Sequence, residues 1–205
     1  MIAKKEIKLI LIFYALSILA FLFFGNEIIR LDNQIFLQIN QVNNPALDYF
    51  FIIVTMGGST LFWLLLISVF WMGKQRKISI LLLIVFLIDN MTVFGSKLLF
   101  NRSRPNEIFS GIKVLDDEIG QGFPSGHSER AFSGATILGS FYGNLKYFLY
   151  FLALLVAVSR IYVGAHFPLD TIYGSVNGIL IGKLVRGLKI EDFLAKLGKF
   201  LPSRK

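Results

Sequence analysis

The sequence predicts an all-α integral-membrane protein, a six-transmembrane helix bundle forming a single domain over residues 1–205. Three observations predict it. Hydrophobic residues make up 55% of the chain and the mean hydropathy is +0.65, too apolar for a soluble domain of 205 residues, whose surface needs more charge. The apolar residues fall into runs that can cross a bilayer core of about 30 Å at about 1.5 Å per residue. The basic residues sit in short loops between those runs, where they act as topology signals. The net charge of +8 therefore does not point to nucleic acid, and the absence of cysteine excludes disulfides and thiol chemistry.

Ala3-Lys4-Lys5-Glu6-Ile7-Lys8 leads into a charge-free run from Leu9 to Asn26, the first span. This run is long, aromatic-rich and without an Ala-x-Ala-like cleavage site, so it reads as a span and not a signal peptide. From Glu27 to Asp48 the chain is mixed. There Ile28, Ile29, Leu31, Ile35, Phe36, Ile39 and Val42 are spaced for an interfacial amphipathic helix between spans 1 and 2. The second span covers about Tyr49 to Met72, is broken at Gly57-Gly58-Ser59, and ends in the basic cytoplasmic turn Gly73-Lys74-Gln75-Arg76-Lys77. The third, about Ile78 to Phe100, carries Asp89 near its middle and Lys97 near its far end.

Asn101 to Phe123 is a polar loop on the non-cytoplasmic side, with Arg102, Arg104, Lys113 and the acidic group Asp116-Asp117-Glu118. The fourth span, Ser125 to about Tyr142, contains Ser133, Gly134, Ala135, Gly139 and Ser140, a composition that suits close helix packing and not lipid contact. Gly143-Asn144-Leu145-Lys146 turns the chain, and the fifth span covers about Tyr147 to Val163. Pro168 opens a sixth helix that ends near Val185-Arg186. The basic tail, Gly187 to Lys205, suits a place against anionic cytoplasmic lipid. With both termini inside, about two thirds of the 21 Lys and Arg fall on the cytoplasmic side, as the positive-inside rule requires.

That topology brings three polar segments to one membrane face: Lys97 to Pro105, Pro124-Ser125-Gly126-His127, and Ser159-Arg160 to Asp170. Between them they hold three cations (Lys97, Arg104, Arg160), the only two histidines (His127, His166), and Asp170 four residues after His166. Phosphoryl transfer is catalysed mainly by positioning and charge stabilisation. Arginine offers paired donors that match phosphate oxygens, and lysine adds a point charge. Ser125 is placed to cap the fourth helix, leaving first-turn amides, with Gly126, free to face an anion. Asp170 can accept from one imidazole nitrogen of His166 and leave the other free to attack. Two histidines and an aspartate can also hold zinc, but three converging cations repel a metal ion and attract a phosphate. No metal and no other cofactor is therefore expected.

Written out, the segments read Lys-x6-Arg-Pro, Pro-Ser-Gly-His and Ser-Arg-x5-His-x3-Asp. They resemble the three-part signature of the type 2 phosphatidic acid phosphatase superfamily, membrane lipid phosphatases, at all eleven fixed positions. The resemblance implies a metal-independent hydrolase in which His166 forms a phosphohistidine intermediate, Asp170 orients it, and His127 serves as general acid. Lys97, Arg104, Ser125, Gly126 and Arg160 would bind the phosphate. Compact members of the superfamily suggest a polyprenyl diphosphate such as undecaprenyl diphosphate as substrate, hydrolysed at the periplasmic or extracellular face of the plasma (inner) membrane. Phosphatidic acid or phosphatidylglycerol phosphate is the alternative, and a non-catalytic binding or transport protein a third reading. Outside the signature, Arg102 reads as an interfacial anchor, and Asp89 as protonated or bonded to Asn90 or Asn177. Glu129 and Arg130 read as bonded to each other or shaping the approach of substrate, with no firm role.

Overall fold

A computed structural model of the chain describes residues 2–188, so the expected basic tail lies outside the described residues from position 189 onward. Among the described residues there are eight α-helices and no strand: α1 (Ile2–Asn40), α2 (Pro45–Thr55), α3 (Thr60–Met72), α4 (Arg76–Phe100), α5 (Pro105–Ile108), α6 (Gly126–Phe141), α7 (Lys146–Tyr162) and α8 (Pro168–Arg186). Their ends follow local chemistry. Asn44 Oδ1 accepts from the amides of Ala46 and Leu47 to start α2, Ser59 Oγ accepts from Phe62 N to start α3, and prolines open α2 and α8.

By length and composition, two helical stretches of the described residues can cross a membrane, Arg76–Ile108 and Gly143–Tyr162. They become three if α2 and α3, bent by 56° at the Gly57-Gly58 break, count as one span. Six were expected, and for two of the three spans not counted, those of α6 and α8, the reason is physical. Helix α6 has only 16 residues, and α8 carries Asp170, Asn177 and a row of glycines, so neither is long or apolar enough alone; both are largely buried among the other helices. Outward faces are greasy instead. On α4, Leu83, Leu87, Met91, Phe94 and Leu98 form an exposed stripe at helical spacing, the surface a helix shows to lipid.

A separate helix between spans 1 and 2 is not seen. Residues 27–40 continue α1, a single helix of 39 residues, because Gly25-Asn26 costs too little to break a long helix, about 1 kcal/mol for the glycine. Its buried stripe also differs from the apolar one expected: Asp32, Phe36 and Asn40 are buried at four-residue spacing, while Ile29, Leu31, Ile35 and Val42 are exposed.

The tightest seam joins α6 to α8. Gly174, Gly178 and Gly182 lie one turn apart on α8, and a Cβ added to them would come within 2.4 Å of Ser125 O, 2.2 Å of Glu129 O and 2.7 Å of Thr136 Cβ. Glycine lets the two backbones touch, as small residues do between membrane helices. Beside this seam, Trp63, Leu82, Val85, Ile137, Ile181 and Val185 fill the space between α3, α4, α6 and α8. The result is a rigid frame in which the C-termini of α4 and α7 and the N-termini of α6 and α8 meet at one end.

Candidate active site

Every candidate site residue lies at that end. Lys97 is on the last turn of α4, Arg104 at the cap of α5, Ser125 at the cap of α6 with Gly126 and His127 in its first turn, Arg160 on the last turn of α7, His166 in the loop before α8, and Asp170 in the first turn of α8. Backbone bonds lock the pieces together: Ser125 N donates to Asp170 O at 3.0 Å, and His166 N to Arg160 O at 3.1 Å. The turn between α7 and α8 needs Gly164, whose φ of +85° disfavours a side chain and whose added Cβ would lie 2.1 Å from Lys113 O.

His166 is 1% exposed in its side chain. Its Nδ1 is 3.4 Å from Asp170 Oδ2, a long contact, and that same carboxylate oxygen accepts from Phe167 N at 2.9 Å. The other ring nitrogen, Nε2, lies 3.6 Å from Glu118 Oε2, a carboxylate that Arg104 and Arg160 also hold. Arg104 and Arg160 are both fully buried. Arg104 spends Nε on Gly120 O and Nη1 on Ala165 O. Arg160 Nη1 reaches Thr55 Oγ1 at 2.5 Å, while its Nε is buried with no acceptor among the described residues. A buried guanidinium edge with an unused donor suits an incoming oxyanion. Lys97, half-buried, is within electrostatic reach of Arg104, Glu118 and Asp170. Ser125 Oγ accepts from Ser128 N and Oγ, so the side chain acts as the helix cap.

Four positions outside the signature matter here. Arg102, read as a lipid anchor, instead turns inward: Nη1 donates to Asp170 Oδ1 at 2.5 Å, Nη2 pairs with Asp32 of α1, and the guanidinium lies 4.6 Å from the Phe167 ring centre. Asp32 also accepts from Leu169 N at 2.8 Å. Gly58 lies against His127; a Cβ there would come within 2.6 Å of His127 Cβ. Glu118 enters the middle of the cluster, 2.6 Å from Arg160 Nη2, 3.0 Å from Arg104 Nη2, 3.4 Å from His127 Nδ1 and 3.6 Å from His166 Nε2. Burial pushes its pKa up, but the His166 contact and the charges of Arg160, His166 and His127 outweigh burial and hold it well below the usual carboxylate range. The sign follows: this attraction is complete above the ordinary value of 4.5 and is lost only as pH falls through the lowered one.

Deeper in the bundle, Asp89 accepts from Ser133 Oγ at 2.5 Å, not from Asn90 or Asn177. Glu129 accepts from Thr92, and Arg130 donates to Gly58 O at 2.8 Å and Asn90 Oδ1 at 3.3 Å; the two form no ion pair with each other. Beside the cluster lies a cavity of about 310 Å³ lined by Ile52, Thr55, Met56, Ser59, Leu115, Asp116, Glu118 and His127.

An all-helical membrane frame carrying buried guanidinium groups and two imidazoles that both reach Glu118 at one end defines a class, membrane enzymes that handle anionic headgroups. Residues 78–190 match the family described as the PAP2 superfamily. The chain belongs to that superfamily and is a membrane lipid phosphatase, a hydrolase. It is 30% identical over 196 residues to an undecaprenyl-diphosphatase of Sulfolobus acidocaldarius, covering 94% of this chain and 95% of the relative. A lipid A 4'-phosphatase of Porphyromonas gingivalis is 28% identical over 77% of this chain and 72% of its own. The crystal structure of a transmembrane PAP2-type phosphatidylglycerolphosphate phosphatase from Bacillus subtilis superposes with a TM-score of 0.73 at 28% identity, over 98% of this chain and 99% of that one.

Proposed function

We propose that the chain hydrolyses a polyprenyl diphosphate, undecaprenyl diphosphate or a close analogue, to the monophosphate at the non-cytoplasmic face of the plasma membrane, with both termini in the cytoplasm. The observation that carries the mechanism is the orientation of His166, with Nδ1 turned to Asp170 and Nε2 to Glu118, the carboxylate that Arg104 and Arg160 also hold. In the first step Nε2 attacks the terminal phosphorus; a P–N bond forms, the bridging P–O bond breaks, and His127 gives its proton to the leaving lipid phosphate. In the second step water attacks the phosphohistidine, His127 takes a proton from it, the P–N bond breaks, and inorganic phosphate leaves. Lys97, Arg104, Arg160 and the first-turn amides of α6 stabilise the charge on the equatorial oxygens in both.

The near full-length similarity to an undecaprenyl-diphosphatase supports the diphosphate. A glycerolipid phosphate is the second reading, favoured by the full-length superposition on the Bacillus subtilis enzyme. Phosphate release from undecaprenyl diphosphate, phosphatidic acid and phosphatidylglycerol phosphate, at equal surface concentration in detergent with EDTA, decides between them. The diphosphate is expected to be cleaved fastest; a preference for either glycerolipid reverses the assignment. His166→Ala is expected to lower the rate at least about a thousandfold without unfolding the protein, and an unchanged rate removes His166 from its role.

A further inference from the structure

Glu118 occupies the place its neighbours would offer a phosphate. Its two oxygens touch four side chains, drawn from all three signature segments: Arg104, His127, Arg160 and His166. Asp116 adds a second carboxylate on Arg160, 2.6 Å from Nη1. The segment carrying them is tied down on either side, by Leu115 N on Val163 O at 2.8 Å and by Gly120 O on Arg104 Nε at 2.7 Å. Between these anchors the Glu118 side chain is 26% exposed, so it can turn outward while Asp116 stays on Arg160 and Asp117 stays on Asn106 Nδ2.

A phosphate that binds the signature cations must therefore displace a carboxylate from them. Binding becomes an exchange, and a ligand shifts such an equilibrium only by its differential interaction with the two states. A carboxylate and a phosphodiester each carry one negative charge. The exchange returns nothing to a phosphodiester, which must also turn the Glu118 side chain out. A phosphomonoester carries about 1.5 to 2 charges at neutral pH, and a terminal diphosphate at least as many, so both gain. Because the surrounding cations keep Glu118 ionised at any pH above the ordinary 4.5, the competition holds across the physiological range.

We propose that Glu118 is a specificity-determining residue, a charge filter that admits lipids ending in a phosphomonoester or diphosphate and excludes the phosphodiester phospholipids that make up the surrounding bilayer. The inference rests on the reading that Arg104, Arg160, His127 and His166 form the phosphate cradle.

The test is phosphate release from phosphatidic acid in mixed micelles as phosphatidylglycerol, a phosphodiester, is added, with diacylglycerol as the control for surface dilution. Wild-type protein is expected to slow only as much as dilution requires. Glu118→Gln keeps the shape and removes the charge. It is expected to be inhibited by phosphatidylglycerol about tenfold more strongly, the equivalent of about 1.4 kcal/mol. Glu118→Asp, which keeps the charge and withdraws it by one methylene, should fall between the two. Identical inhibition curves for wild type and Glu118→Gln overturn the proposal. Thermal melts with inorganic phosphate test the cradle separately. Phosphate should stabilise Glu118→Gln more than wild type, since the variant leaves the cations unneutralised. If phosphate stabilises neither, the cradle reading fails; if it stabilises both and the inhibition curves coincide, the filter alone fails. A variant too unstable without ligand is melted with phosphate present, and absence of rescue counts against the filter.

Discussion

Arg102 stands two positions before the signature arginine, and its local setting, a polar loop at a membrane face, suggested an anchor. In the fold it lies between two buried carboxylates, Asp170 and Asp32, so one guanidinium fixes both the partner of His166 and the end of α1. Removing it leaves Asp170 held by Phe167 N but by no guanidinium, beside a contact to His166 that is already long at 3.4 Å. Arg102→Ala is expected to lower kcat by about tenfold to a hundredfold, the range seen when an outer partner that orients a reacting side chain is lost, with KM little changed. Arg102→Lys should recover part of the rate, because a single cation still reaches Asp170. A rise in KM at constant kcat would instead place Arg102 in substrate binding. Neither Arg102 nor Glu118 was legible from the sequence, for one reason. Arg102 acts through Asp170 and Asp32, and Glu118 is held most closely by Arg160, all more than 40 positions away, and no spacing rule reaches that far.

At the scale of elements, most boundaries were readable because they depend on neighbours within a turn or two. The break at Gly57-Gly58-Ser59, the cap at Ser125 and the start of the last helix at Pro168 all appear where composition put them. What composition did not reveal was the purpose of the glycines. Gly58 makes room for His127, and Gly178 brings α8 against the backbone of α6. A Cβ at Gly178 would lie 2.2 Å from Glu129 O, a backbone atom that cannot step aside. Gly178→Ala is expected to destabilise the protein by about 1–3 kcal/mol, the usual cost of overpacking, read as a lower melting temperature in detergent. Gly95→Ala is the control: nothing lies within 4 Å of its added Cβ, so its melting temperature should match or exceed wild type. Equal melting temperatures for the two variants would show that the α6–α8 seam is looser than described.

Across the whole molecule, the proposed function requires sidedness: the end of the bundle that gathers the signature residues must face outward and the basic turns at the other end must face the cytoplasm. The chain contains no cysteine, so single cysteines report on this directly. In intact cells a membrane-impermeant maleimide is expected to label Asp117→Cys at once and Asn144→Cys only after permeabilisation; the reverse pattern inverts the topology. The sequence by itself determined the membrane class, the helical content and the gathering of three signature segments at one face, because hydropathy, helical period and loop charge are properties of short stretches. Tertiary structure alone decided that Glu118 enters the cluster of cations, that Asp32 and Arg102 brace Asp170, and that three glycines of α8 bring two backbones together. Those depend on which helix faces meet, and that is settled by packing the whole bundle, where close contact between distant residues outweighs any local preference.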